Sequence, residues 1–397
     1  MKRTEQLCVV LATQFLVTFS LMVLIPVMPI YLEQLSQSNS VSGFASAMAL
    51  SAPAIGALLS APMIGMFADK FPYKPVFIYS LTAYLVSLFT MAWSDSIVLF
   101  IAARFLLGLS GVGLILTLYF SRELTLSQGR QLALQQQAIA LACLTGPIVG
   151  GFSLQSVGMG TVLWGVAYLS LICLTISIFL LKSRASSYDH EDQKVETEVA
   201  KKAPLSSQIW VWLIAGALSH AGAFALVVGF AFFMTQNWQS VDTASQIGLI
   251  HALSWCGTFA LAGYWGRKIE QKLSAQSFAL GALGCGLCII LIGIAPALWI
   301  IAVLRILQGC FFASQTQCFI AQINDMSTQA QQGKALGFAK SAQVVGQLLV
   351  PFAVALSFSY FGAESALWIT AGFFIAAAAL VAFLLWSLQV NFKVKTQ

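Results

Sequence analysis

Twelve apolar runs, most of them about twenty residues long, follow one another along this 397-residue chain. Each is long enough to cross a hydrocarbon core of roughly 30 Å as an α-helix. With no water in that core, such a run has to satisfy its own peptide groups, and a helix does so. The runs fall near residues 8–31, 42–67, 75–93, 97–120, 132–153 and 162–181, then near 209–234, 244–266, 275–294, 298–320, 333–357 and 366–388. The expected fold is an all-α integral membrane protein of twelve transmembrane helices in two pseudo-symmetric six-helix halves. Residues 1–181 form the first half, 182–208 a cytoplasmic linker and 209–397 the second half. Only 9% of the residues are charged and mean hydropathy is +0.85, whereas a soluble domain carries about a quarter charged residues.

The second half repeats the first. Arg104 and Gly108 in span 4 are answered by Arg305 and Gly309 in span 10. In the same order, Gly65-Met66-Phe67-Ala68-Asp69-Lys70 is matched with Gly263-Tyr264-Trp265-Gly266-Arg267-Lys268, and Gly146-Pro147-Ile148-Val149-Gly150-Gly151 with Gly346-Gln347-Leu348-Leu349-Val350-Pro351. Two duplicated halves imply a gap between them near the bilayer midplane, where carriers place a small-molecule site.

Lys and Arg set the orientation, because they stay on the cytoplasmic side during insertion. Of the twenty, Arg104, Arg305 and Lys340 lie inside spans. The rest fall at the N-terminus, after even-numbered spans, in the linker or at the C-terminus. Both termini are therefore expected in the cytoplasm, with the chain multi-pass in the inner (plasma) membrane. The net charge of +6 is this orientation signal and calls for no nucleic acid. Lys2 and Arg3 precede an apolar run of about twenty-five residues without a small-residue cleavage pattern, so it is expected to be retained as span 1. The eight cysteines sit in or beside apolar helices, which argues against a disulfide framework. Cys285-x-x-Cys288 has no second ligand pair, so no metal and no cofactor is expected. The linker, dense in both signs of charge around Tyr188-Asp189-His190-Glu191-Asp192, reads as a solvated tether.

Several motifs carry chemistry. Gly65 at the end of span 2 allows close helix approach, and Asp69 is suited to the positive end of a neighbouring helix dipole. Lys70, Lys74 and Glu123 would complete an ion cluster that holds the cytoplasmic side shut. Arg104 lies some 10 Å deep at about 1.5 Å per residue, and Arg305 is at the same depth. A buried arginine costs at least ~2.5–3.5 kcal/mol on insertion scales, so it faces a polar cavity or pairs with a partner. Gly146, Pro147, Gly150 and Gly151 in span 5 combine a missing backbone donor with small residues, as a hinge or a seal would.

Together these motifs resemble the major facilitator superfamily over essentially the whole chain, and within it the twelve-spanning drug/proton antiporter branch. Gly65 to Lys74 is similar to its span 2 to 3 signature, although Phe71-Pro72-Tyr73-Lys74 replaces the usual basic end. Arg104-x-x-x-Gly108-x-x-Gly111 resembles the span 4 signature, Gly146-Pro147-x-x-Gly150-Gly151 the antiporter signature of span 5, and Pro26-Val27-Met28-Pro29 fits the end of span 1. The resemblance implies alternating access by two six-helix halves, export, protons as coupling ion in antiport, and a monomer in the lipid bilayer.

The chain departs from that pattern in one respect. Many relatives carry a proton-binding carboxylate in span 1, but Phe15 to Ile25 holds none, and none of the fourteen acids lies in a span interior. His220 and His251 are the candidate replacements, since histidine changes charge in the physiological range. The intramembrane charges are Arg104, Arg305 and Lys340, which favours a carboxylate or phosphate on the cargo; the Lys340 stem is also long enough to snorkel to the surface. Gln14, Phe19, Phe224, Trp255, Gln308, Gln315, Gln343 and Gln347 are candidate cavity-lining groups. The expectation is a non-enzymatic exporter of small organic compounds, a drug or a self-made metabolite such as a carboxylate-bearing siderophore. The alternative is an importer or facilitator of a small organic anion. An intramembrane enzyme would need a nucleophile, metal cluster or paired carboxylates in the bilayer, and none is visible.

Overall fold

The computed structural model describes residues 2–25, 27–36, 43–122, 126–181, 206–238 and 244–395. They form α-helices throughout: α1 (Lys2–Met22), α2 (Met28–Ser36), α3 (Gly43–Ala68), α4 (Tyr73–Trp93), α5 (Ile97–Leu109), α6 (Val112–Arg122), α7 (Gln128–Ser156), α8 (Met159–Leu180), α9 (Ser207–Asn237), α10 (Ala244–Glu270), α11 (Ser274–Gly293), α12 (Leu298–Met326), α13 (Gln332–Phe361) and α14 (Ala363–Lys395). Eleven stretches among the described residues are long and apolar enough to cross a membrane. The twelfth expected span, α13, has the length at 30 residues, but Gln332, Lys334, Lys340, Ser341, Gln343 and Gln347 dilute its apolar character. Glu123 and the linker residues Tyr188 to Asp192 lie outside the described residues.

Span 4 is two helices, α5 and α6, and the break has a local cause. Gly111 has φ +59°, a left-handed backbone that disfavours any residue with a Cβ. The amide of Gly111 bonds back to the carbonyl of Gly108 at 3.2 Å, closing α5 before α6 starts. Span 10 carries Phe312 where the duplication would put Gly111, and α12 runs unbroken from Leu298 to Met326.

The helices pack into two compact units. One comprises Met1–Leu126, Ala138–Pro204 and Thr328–Ser341; the other comprises Ser127–Gln137, Leu205–Ser327 and Ala342–Gln397. In the first, α3 packs on α5, α4 on α5 and α8, and α1 on α8; in the second, α10 packs on α12, α11 on α12 and α14, and α9 on α14. Taken as spans, each pairing in one unit has its counterpart in the other, so the duplication seen in the sequence is also one of packing. The second unit's core joins Phe230, Phe233 and Met234 of α9 to Ile289 and Ile292 of α11, Ile301 of α12 and Phe374 of α14. Large apolar side chains also point outward, among them Trp93, Val98, Phe179 and Trp299, as lipid-facing helices require.

Candidate functional site

In the second unit the site begins with a close contact between two helices. A methyl added at Gly309 would fall on the carbonyl of Ser254, and one at Gly257 on that of Ile306, so only glycine lets α10 and α12 approach this closely. Thr258 seals the contact, its hydroxyl donating to the carbonyls of Ser254 and Gly309 at 3.0 Å each.

This approach brings Arg305, four residues before Gly309, against one face of α10. Its Nη2 donates to the His251 carbonyl at 2.8 Å and the Ser254 hydroxyl at 3.3 Å, and lies 3.0 Å from His251 Nδ1. Its Nη1 donates to Gln308 Oε1 at 3.0 Å, and the guanidinium sits 5.0 Å over the ring of Phe230 from α9. The side chain is 1% exposed. Four acceptors and a ring face thus hold a cation that burial would otherwise penalise. Hydrogen bonds to charged groups contribute about 1.5–3 kcal/mol each, enough to offset the insertion penalty. Because a guanidinium only donates, His251 Nδ1 is the acceptor, and the imidazole is neutral with its proton on Nε2.

Arg104 is the repeat partner in the first unit, and its surroundings differ. The helix contact is conserved in kind: a methyl at Gly108 would strike the carbonyl of Pro53, and one at Gly56 that of Phe105. Arg104 is 2% exposed, yet its side chain makes one hydrogen bond, from Nε to the Ala49 carbonyl at 2.6 Å. Its Nη1 is buried without a partner among the described residues. The sequence supplies the reason. At the spacing that relates Arg305 to Arg104, His251, Ser254 and Gln308 correspond to Leu50, Pro53 and Leu107. The first unit keeps the cation and lacks the side chains that bond the terminal nitrogens of its twin, whose Nε is also buried without a partner among the described residues.

A second polar cluster lies further along α12. Gln315 accepts from Ser219 of α9 at 2.9 Å and donates to the Phe278 carbonyl of α11 at 3.1 Å and to Ser314 at 3.0 Å. His220 follows Ser219 and is half-buried, as are Lys340 and Gln347 on α13. Trp255 packs edge-on against Phe312. Gln343 is buried with Nε2 unpartnered among the described residues. In the first unit Gln14 donates to Thr18 at 3.1 Å, and Phe19 stacks on Phe15. Phe224 is half-buried on α9.

The motif at the end of α3 meets the start of α13. The Asp69 carboxylate accepts from the backbone amides of Gly333 and Lys334 at 2.7 and 2.8 Å, capping a helix N-terminus from outside. Gly65 makes room, since a methyl there would fall on the Gly333 carbonyl. Lys70 is exposed and Lys74 half-buried. The other unit holds a counterpart that the sequence comparison missed: Gly266 faces Gly129 at the start of α7, and Ser127 donates to the carboxylate of Glu270. Gly65 with Gly266, and Asp69 with Glu270, keep the spacing that separates Arg104 from Arg305. This corrects the match of Gly65–Lys70 with Gly263–Lys268 by three residues. That match was drawn to a shared Gly and a shared Lys70/Lys268, whereas the contact depends on the glycine and the acid. In α7, Gly146 rests on Met22 and Gly150 on the Val23 carbonyl, where α1 ends, while Gly151 faces open space. Pro147 is accommodated within an α7 that runs on to Ser156.

Known proteins share this architecture. A family profile described as Major Facilitator Superfamily matches residues 10–295 and 240–396. The chain is 25% identical over 360 residues to a staphyloferrin B transporter of Staphylococcus aureus, covering 88% of this chain and 85% of that one. It is 29% identical over 170 residues to the multi-drug resistance efflux pump PmrA of Streptococcus pneumoniae, 42% of this chain and 43% of the pump. Among solved structures, the human organic anion transporter MFSD10 superposes with a TM-score of 0.79 at 17% identity, over 94% of this chain and 98% of that one.

Proposed function

This chain belongs to the Major Facilitator Superfamily, and from that premise we propose that it exports small organic compounds bearing carboxylates by alternating access, with protons as the coupling ion. The observation that carries the cargo class is Arg104: a buried guanidinium with one hydrogen bond and an unpartnered Nη1 is an anion-binding group awaiting its anion. A carboxylate matches the guanidinium fork with two parallel bonds. Export is supported by the efflux pump among the relatives. A staphyloferrin B transporter among the relatives supports a self-made metabolite, a carboxylate-bearing siderophore, as the specific cargo.

In this reading the chain sits in the inner membrane as a monomer with both termini in the cytoplasm. Asp69 on α13 and Glu270 with Ser127 at α7 are cytoplasmic latches. For cargo without a carboxylate, the span 5 signature implies that protons enter while cargo leaves. Deleting the gene and measuring organic acids inside and outside the cells tests the proposal. An organic acid should build up in the cytoplasm and fall in the medium, and unchanged levels on both sides would count against it.

Uptake or facilitated passage of an organic anion is the second reading, and the charge of the buried cluster fits it equally. The ionisable groups of the second unit's buried cluster, Arg305 and His251, carry positive or no charge, a chemistry that admits an anion in either direction of transport.

A further inference from the structure

We infer that a proton on His251 and a carboxylate on Arg305 load this half of the protein together. The inference rests on the carboxylate-cargo reading above and adds how the second arginine becomes available to that cargo.

In the structure the two terminal nitrogens of Arg305 are engaged, while its Nε is buried without a partner among the described residues. Nη2 spends its donors on the His251 carbonyl, His251 Nδ1 and Ser254, and Nη1 spends one on Gln308. The bond to Nδ1 exists only while His251 is neutral, because that nitrogen must offer a lone pair. When Nδ1 takes a proton from water, the lone pair is gone and an imidazolium stands 3.0 Å from a guanidinium. Two cations at that distance repel, and the Nη2 N–H that pointed at Nδ1 turns to the acceptors that remain, the His251 carbonyl and the Ser254 hydroxyl. Arg305 keeps all its protons throughout; only the direction of that N–H changes. A carboxylate placed there competes for that N–H and stands between two positive groups.

The same bond is opened from the other side. A carboxylate that captures Nη2 takes the donor away from Nδ1 and leaves that lone pair open to a proton. Proton and carboxylate therefore each remove the obstacle to the other, and binding linkage makes that reciprocal. Other groups around the pair do not provide an alternative counter-charge. Arg305 from α12 is the charged group acting on His251, Cys285 from α11 is the ionisable neighbour of Arg305, and α9 presents Phe230. His220 lies ten residues before Phe230 on α9, about 15 Å away by helical rise. No carboxylate among the described residues forms an ion pair with either group.

The coupling has a sense. With a carboxylate cargo, the loaded form carries the proton and the anion together, so the proton travels with the cargo. Export of an acid made inside the cell then runs down the acid's own gradient. The antiport implied by the span 5 signature is left to cargo without a carboxylate.

The test is proton bookkeeping on binding. Purified full-length protein in detergent and weak buffer, with a pH indicator, is mixed with acetate, succinate or citrate, and binding is followed in parallel by thermal shift. The expected result is net proton uptake on binding, approaching about one proton per ligand, with affinity rising up to roughly tenfold per unit fall in pH across the window where His251 loads. His251→Gln, which keeps an acceptor for Arg305 but cannot be charged, should bind the same ligand more weakly, without proton uptake and without the pH dependence; His251→Asn provides the same comparison should the glutamine variant fold poorly. Binding with no uptake, with proton release, or with uptake unchanged in both variants overturns the inference and leaves the cargo proposal standing. Failure of all three carboxylates to bind at any pH overturns the cargo proposal itself, and the inference with it.

Discussion

Two arginines that look interchangeable in the sequence are in different chemical states in the fold. Arg305 is held by His251, Ser254, Gln308 and Phe230, whereas Arg104 has the Ala49 carbonyl. Removing them should therefore have opposite consequences. Arg305→Gln strands several buried acceptors and should lower stability by ~2–4 kcal/mol. Arg104→Gln removes a poorly satisfied buried charge and should change stability by less than ~1 kcal/mol while abolishing carboxylate binding. Thermal unfolding in detergent with and without citrate separates the two, and equal destabilisation by both would show that Arg104 is a structural residue. The sequence placed both arginines at one depth, and His251 and Gln308 among the candidates. It did not show that His251 meets Arg305, because that contact depends on how closely α10 and α12 approach.

Helix contacts in this chain are set by glycine, and the positions are unequal. Gly108 and Gly309 each face a backbone carbonyl of the neighbouring helix, while Gly151 faces open space. Gly108→Ala and Gly309→Ala should each cost ~1–3 kcal/mol, since backbone cannot step aside as a side chain can. Gly151→Ala should stay within ~0.5 kcal/mol. Unfolding midpoints of the three variants check this, and a tolerated Gly309→Ala would mean that the α10–α12 contact is looser than the structure has it. At the helix ends, Asp69→Asn removes the carboxylate charge and one of its two acceptor sites for Gly333 and Lys334. That weakens the contact by ~1–2 kcal/mol and should speed hydrogen exchange at those two amides by roughly tenfold. Spans and their order were legible because periodicity is not needed to see twenty apolar residues in a row. The break at Gly111 and the Glu270–Ser127 contact were not, since one is a matter of backbone sign and the other joins residues far apart in the chain.

At the scale of the whole molecule, duplication gives two units with matching helix pairings, and divergence gives their repeated arginines different partners. The first unit offers an open cation. The second offers a cation whose release is tied to a histidine. In the function proposed here, a family that serves many cargoes on one fold is specialised by the residues that surround a repeated arginine rather than by the arginine itself. The overall architecture could be read from apolar runs and three ordered motifs, but cargo chemistry could not, because it depends on which donors are already occupied. The most direct test is transport into inverted membrane vesicles from cells producing the wild-type chain or Arg104→Gln, offered a panel of carboxylate-bearing and cationic compounds. Accumulation of a carboxylate that Arg104→Gln abolishes is the predicted result. Accumulation of cations alone, or carboxylate movement only out of the vesicles, would contradict it.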